Sequence, residues 1–249
     1  MEYGDIAAFY RENPRMVSSP FGGIDGIDRE LFAKVFDALD IDLTGLKVLD
    51  VGCGRGFVGE LVREQGGSYV GADFVVSRTG FPLAQADAAR LPFCTENFDA
   101  VFCIDAFEHF PRPNQVAAEI RRVLKPKGFF FLSAPNYSNV AGVVKKAYET
   151  IGIYAKDTWA PFGRWQAQEY ESALTGRAVR RIFRRAGFLN LKRIGHGDET
   201  GLGLFPWIDH PRTPEAIQFR LQRLSRLIEA PVTRAWPGAS LHGFWKMSA

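Results

Sequence analysis

The chain has 249 residues, 46% of them hydrophobic and 24% charged, with a formal net charge of +3. That is enough apolar material for one large core without a disulfide or metal staple, and too little excess charge to imply a nucleic-acid partner by itself. The three cysteines, Cys53, Cys94 and Cys103, show no CxxC spacing, which argues against a disulfide framework or a cysteine zinc site and suits a reducing compartment. Residues 1–5 do not begin a basic-then-apolar leader, and no apolar run approaches the ~20 residues of a membrane-spanning helix. The expected location is therefore cytoplasmic.

In chain order, residues 5–12 read as a short helix stopped at Asn13-Pro14, and the Ser/Gly/Pro-rich residues 17–26 as a loop. A helix is predicted from Asp28 to Leu39, with Leu31, Phe32, Val35, Phe36 and Leu39 at helical spacing. Strands and helices then alternate. The segments are Lys47–Val51 (strand), Phe57–Gln65 (helix), Tyr69–Ala72 and Leu83–Gln85 (strands), Ala100–Ile104 (strand), Pro113–Leu124 (helix) and Gly128–Ser133 (strand). This rhythm predicts a mostly parallel sheet flanked by helices. After Pro135 it breaks. Two irregular stretches, 136–172 and 195–213, are separated by a helix at 173–186 and a strand at 188–194. A helix over Pro214–Glu229 and a strand over Leu241–Met247 close the chain.

One segment carries the chemistry. Val48-Leu49-Asp50-Val51-Gly52-Cys53-Gly54-Arg55-Gly56 is a strand ending in an acid, followed by a glycine-rich turn that opens a helix. Glycines let the backbone turn tightly and approach a ligand, and a helix start offers backbone N–H groups. Gly54-Arg55-Gly56-Phe57-Val58-Gly59 matches the dinucleotide pattern by letter, but its register is displaced, because Gly52 is the glycine that ends the strand. Counted from Gly52, with Asp50 before it, the loop resembles motif I of the class I, S-adenosylmethionine-dependent methyltransferases.

The resemblance continues in order along the chain. Tyr69-Val70-Gly71-Ala72-Asp73 resembles the second strand with its terminal acid, and Gln85 to Phe93 the segment whose Asp meets the adenine amine. Asn97 to Ile104 resembles motif IV, and Glu119 to Gly128 the helix and turn before the fifth strand. It covers about residues 45–135, and more weakly 172–194. It implies a Rossmann-like three-layer α/β sandwich with a mostly parallel seven-stranded sheet and one antiparallel edge strand. It also implies a single domain over 1–249, with N-terminal helices and a lid over 1–45, a cofactor core over 46–135, and substrate-covering insertions at 136–172 and 195–240. The implied cofactor is S-adenosyl-L-methionine, with S-adenosyl-L-homocysteine as product. By position, Gly52, Gly54 and Gly56 face the methionine part beside Asp50; Asp73 holds the ribose; Phe74 covers the adenine; Asp87 takes the adenine amine. Cys53, Ala88 and Ile104 complete that wall. As plain structure, the glycines are a turn, Asp73 a helix cap and Asp87 a surface acid. One departure stands out. About a dozen residues separate Phe74 from Asp87, where the family fits a full helix, so the adenine side is expected to be open or closed by another segment.

After the fourth strand, Asp105-Ala106-Phe107-Glu108-His109-Phe110 places Asp105, Glu108 and His109 on one side of a helical turn. This resembles the E-x-x-E-H element of ubiquinone-pathway O-methyltransferases and small-RNA 2′-O-methyltransferases, where it holds a divalent metal. Here the first position is Asp, and Gln166 or Gln168 stands where the later histidine would be. The element therefore reads as a general base (His109, oriented by Glu108 or Asp105), as a metal site, or as pocket wall. Tyr137, His196, Asp198, Glu199 and His210 are further polar candidates. Trp159, Phe162, Trp165, Phe205 and Trp207 suit an apolar or aromatic substrate pocket, or packing of the insertions.

The expected activity is methyl transfer to a small-molecule acceptor, with a hydroxyl ahead of nitrogen or carbon. The rival readings are an RNA or nucleotide methyltransferase using the basic 177–193 stretch, a metal-assisted O-methyltransferase, a non-catalytic cofactor-binding module and a nicotinamide dehydrogenase. The same basic stretch also reads as the solvated face of an amphipathic helix.

Overall fold

In the computed structural model, the described residues are 8–9, 12, 29–76, 80–139, 142–143, 147, 150–151, 172–195, 214–240 and 242–249. The loop expected over 17–26 and the aromatics Trp159, Phe162, Trp165, Phe205 and Trp207 fall outside them, as do Gln166, Gln168, His196, Asp198, Glu199 and His210.

Seven strands form one sheet: β1 (Lys47–Val51), β2 (Ser68–Asp73), β3 (Leu83–Gln85), β4 (Phe98–Ile104), β5 (Leu124–Pro135), β6 (Leu189–Gly195) and β7 (His242–Ser248). Their spatial order is β3-β2-β1-β4-β5-β7-β6. β1 to β5 pair in parallel, whereas β7 runs antiparallel to both of its neighbours. The fold class is the expected one, with a difference in placement. The antiparallel strand lies one place in from the edge, between β5 and β6, so the edge strand itself is β6. The reason is burial: β7 carries Phe244, Trp245 and Met247, each at most 1% exposed, whereas Leu189 of β6 is 64% exposed.

Side-chain alternation along the strands divides the core into two layers. Val48, Ala100, Phe102, Phe131 and Phe244 face helices α1 (Arg29–Ala38) and α2 (Val58–Glu64). Leu49, Val51, Val101, Cys103, Phe130, Leu132 and Trp245 face α3 (Pro113–Val123) and α4 (Gly176–Arg185). α1, α3 and α4 show the expected apolar stripes. α1 buries Leu31, Phe32, Val35 and Phe36, and Phe32 and Phe36 meet Phe131 edge-on at 6.3 and 5.4 Å. α4 buries Val179, Ile182 and Phe183, and Thr175 caps it by accepting from the Ala178 N–H. Its exposed side is Arg177, Arg180, Arg181, Arg184 and Arg185, so that part of the basic stretch is the solvated face of an amphipathic helix, whereas Lys192 and Arg193 belong to β6 and Arg193 lies over the Trp245 ring. The last helix, α5 (Glu215–Ala235), leads through a 3-10 turn at Pro237–Ala239 into β7. Among the described residues, no helix is long and apolar enough to cross a membrane.

Among the described residues, no helix links β2 to β3. Phe81 fills the corresponding space. Its ring meets Tyr69 edge-on at 5.2 Å, lies under the Arg63 guanidinium at 4.2 Å and covers Gly59 of α2. A Cβ on Gly59 would come within 2.7 Å of that ring. We therefore expect Phe81→Ala and Gly59→Ala each to lower unfolding free energy by ~1–3 kcal/mol in urea titrations. The double variant should cost less than the sum, because the alanine methyl enters space the ring vacated. Strict additivity would show that Phe81 does not pack on α2 as described.

Candidate active site

The parallel strands β1, β2 and β4 deliver their carboxyl ends to one edge of the sheet, where open α/β folds bind ligands. β1 passes at Val51 into a turn in which Gly52, Gly54 and Gly56 all have positive φ, +78°, +55° and +76°. That conformation strains any side chain. Gly52 is doubly constrained, since an added Cβ would sit 2.4 Å from the Ala106 Cβ. The loop after β4 thus packs directly against the glycine turn.

The turn is fixed from β2. The Gly54 N–H donates to Asp73 Oδ2 at 2.8 Å, and the Val75 N–H donates to Asp73 Oδ1 at 3.1 Å. The Gly52 N–H donates to the Ala72 carbonyl at 2.8 Å. Burial pushes the Asp73 carboxyl up, while backbone N–H groups of Gly54, Val75 and Phe74 pull it back. Beneath the loop, Asp50 is 2% exposed and accepts the Tyr69 hydroxyl at 2.9 Å. Burial raises its carboxyl to about 7, against the lowering effect of the Tyr69 hydrogen bond and with a further push from Asp73. Cys53 is buried beside both acids. Burial, then Asp50 and Asp73, raise its thiol, so it is a wall atom and not a nucleophile.

Asp50, Gly52, Cys53, Gly54, Gly56 and Asp73 therefore come together as one wall. Phe74 follows directly, half-buried, its carbonyl accepting from Gln85 Nε2 at 2.9 Å. Ala88 is buried in the core, and Ile104, at the end of β4, is half-buried on the α1–α2 side. Asp87 is already engaged. Its Oδ1 accepts the Ala89 N–H at 2.8 Å, and its Oδ2 is ion-paired to Arg112 Nη2 at 2.6 Å. A cleft of about 500 Å³ opens beside that pair, lined in part by Gln85, Asp87, Arg90 and Arg112. Arg112, at the start of α3, had no signal in the sequence that tied it to Asp87.

The loop after β4 separates the three residues read as one turn. Asp105 leaves β4 with φ +46°, and its Oδ1 lies 2.7 Å from His242 Nε2 of β7. Ser133 Oγ of β5 lies 2.9 Å from the same nitrogen and donates to Asp105 Oδ1 at 3.3 Å. Glu108, 1% exposed, sits in a 3-10 turn (Phe107–His109), with its Oε1 3.7 Å from His109 Nε2. Among the described residues, no three His, Cys, Asp or Glu side chains are grouped as a metal centre requires. Asp105, Glu108 and His109 thus divide into two pairs, Asp105–His242 and Glu108–His109. Tyr69, Ser133 and His242 had not been singled out. Tyr69 was findable as the phenol inside a strand that ends in an acid.

Three carboxylates converge below this edge. Burial, then Glu108, Asp50 and Asp105, raise the Cys103 thiol inside β4. Such a site suits a cationic ligand that also carries hydroxyls, since a carboxylate accepts hydrogen bonds and attracts positive charge. It does not suit a pyrophosphate, which Asp50 and Asp73 would repel.

Comparison with known proteins agrees with this geometry. Residues 49–132 match a family model described as a methyltransferase domain. Sterol 24-C-methyltransferase ERG6B of Gibberella zeae is 40% identical over 101 residues, covering 34% of this chain and 27% of that protein. The ubiquinone biosynthesis O-methyltransferase of Pseudomonas fluorescens is 33% identical over 112 residues, covering 39% and 47%. The chain thus matches between about a quarter and a half of the length of these curated relatives. A SAM-dependent methyltransferase from Archaeoglobus fulgidus superposes over 90% of this chain and 95% of its own, with a TM-score of 0.56 at 16% identity, which speaks to the fold. From β1 into β5, motif, geometry and sequence match agree: residues 49–132 are similar to a methyltransferase domain, on the Rossmann-like sheet shared with that solved structure.

Proposed function

We propose that the chain transfers the methyl group of S-adenosylmethionine to a small-molecule acceptor whose receiving atom is a hydroxyl oxygen. The observation that carries the cofactor is the pair of carboxylates, buried Asp50 and half-buried Asp73, beside a positive-φ glycine turn. The donor set fits the cofactor chemically: Asp73 keeps lone pairs for a ribose diol, Asp50 supplies negative charge that suits a cationic methionine head, and Phe74 follows Asp73 with a ring that suits the base. When bound, the cofactor supplies an electrophilic methyl on a cationic sulfur. The chain's residues then bind, orient and exclude water around that methyl. The two matched relatives, named for carbon and oxygen acceptors respectively, are aligned over a short segment, so acceptor choice rests on the rest of the chain. The RNA reading loses its main support, because the basic residues of α4 are the outward side of a helix whose other side is core.

Asp73→Ala should weaken S-adenosylhomocysteine binding in calorimetry by ~1–3 kcal/mol, because it removes hydrogen bonds to a charged acceptor and frees the Gly54 N–H. NADH should bind neither form. Tighter binding of NADH than of S-adenosylhomocysteine would overturn the reading.

A pH dependence follows from Asp50. In the free protein its carboxyl is raised to about 7; a cationic ligand beside it lowers that value in the complex. Below about pH 7 the free protein holds a proton that the complex releases. S-adenosylhomocysteine affinity should therefore rise with pH up to about 7 and then level, by at most tenfold per unit. Asp50→Asn should flatten this rise. A rise of equal slope in the variant would assign the proton to another group.

A further inference from the structure

From the buried guanidinium of Arg193 on β6, we infer that its Nε–Nη2 edge is a binding site for the carboxylate of a small organic acid. The inference goes beyond the cofactor reading above and does not depend on it.

Strand pairing sets Arg193 opposite Trp245 of β7. The guanidinium lies over the Trp245 ring at 5.2 Å, and its Nη1 lies against the first residue of α4. An added Cβ on Gly176 would meet that Nη1 at 2.7 Å, so the bare residue is what admits the guanidinium. Nε and Nη2 of Arg193 are shut off from solvent and have no hydrogen-bond partner. The same holds for Trp245 Nε1, in a residue 1% exposed. Two unpartnered buried residues, one a cation and one an indole lying beneath it, thus offer donors only.

A buried donor left unsatisfied costs about 1–3 kcal/mol, and more where it is charged, so native structures pair such groups. The surroundings sharpen this. Burial pulls the Arg193 guanidinium below its ordinary pKa, and Arg180 pushes the same way. Among the described residues, no carboxylate is paired with it. The start of α4, which it touches, adds the positive end of a helix dipole. A locus positive on every count selects an anion. The atoms concerned say which kind. Nε and Nη2 are the neighbouring donors whose N–H bonds run parallel along one edge of the guanidinium, and that edge matches the two oxygens of a carboxylate.

The position suits a small ligand. β6 is the edge strand and Arg193 is half-buried as a residue, so the fork lies near the surface. β6 runs in the direction of β1 to β5, and Arg193, near its carboxyl end, lies toward the same edge as the glycine turn. Residues 172–176 tie it to the β4 loop. The Ser172 N–H and Oγ both donate to Glu108 O, at 2.8 and 3.1 Å. Gly176 follows four residues later, hence within ~14 Å.

The test follows the Arg193 Nε–H signal by NMR in the full chain labelled at arginine. Benzoate, its neutral counterpart benzamide and inorganic phosphate are titrated separately, without S-adenosylhomocysteine, so the result is independent of the cofactor reading. Arg193→Lys removes and so assigns the signal; if that variant does not fold, Gly176→Ala, which crowds Nη1, assigns it by displacement. Benzoate should shift the signal saturably at millimolar concentration, and benzamide should leave it unmoved. Calorimetry should show benzoate bound at least ~10-fold more weakly by Arg193→Lys, which keeps the charge and loses the fork. A signal unmoved by benzoate, an equal response to benzamide, or unchanged affinity in Arg193→Lys would overturn the site. Phosphate binding more tightly than benzoate would overturn its assignment to a carboxylate.

Discussion

The hydrogen bond from the Gly54 N–H to the Asp73 carboxylate, 2.8 Å long, joins the turn after β1 to the end of β2. Three glycines with positive φ make this turn possible but do not make it rigid, because glycine has the most freedom to lose on folding. The carboxylate supplies what the glycines lack. It selects one loop conformation, and its own position is set by five consecutive parallel β1–β2 pairs. With the loop fixed, Gly52 can accept the close approach of Ala106, and through it the β4 loop is placed against the same edge. The glycine turn and the β4 loop are thus mechanically one unit.

That unit is electrostatically one-sided. Asp50, Asp73, Asp105 and Glu108 gather at the carboxyl ends of β1, β2 and β4, all of them buried or half-buried. Buried like charges raise one another's pKa, and Asp50, with Asp73 adding to the effect of burial, stands at about 7. An edge built this way is costly for the empty protein and favourable for a cation. It separates the site from a dinucleotide-binding site of similar outline, where a pyrophosphate meets bare backbone N–H groups.

Much of this was legible in the sequence where the determinants are local. The Asp50-to-Gly56 segment and the Asp73 terminus lie within one β-α-β unit, so strand, turn and acid can be read in line. The helical stripes of α1 and α4 were equally plain from their period. The shortage of residues between β2 and β3 was legible too, but its remedy was not. Phe81, flanked by Gly80 and Pro82, reads as a turn residue, and what makes it core is Tyr69 and Gly59 arriving from elsewhere. The Asp105-Glu108-His109 spacing suggested one helical turn, whereas the positive φ at Asp105 sends the first acid to a different strand. Its partner His242 lies 109 residues beyond Ser133, and no pattern within either segment announces the other. The strand order decides that contact, and the order departs from sequence at β7.

The placement of β7 also bears on how an acidic edge can persist inside a fold. Inserted between β5 and β6, β7 brings His242 Nε2 to 2.7 Å from Asp105 Oδ1, beside Ser133 Oγ. Asp50 is met by the Tyr69 hydroxyl from β2, and Asp73 by the Gly54 and Val75 N–H groups. Asp50 and Asp105 thus each meet a partner from another strand, and Asp73 meets the turn after β1. A carboxylate taken out of water without such a partner would cost several times what the hydrogen bond returns. The inward position of β7 and the gathering of acids at the ends of β1, β2 and β4 are therefore parts of one arrangement: the strand order that buries Phe244 and Trp245 also delivers the partner that Asp105 needs.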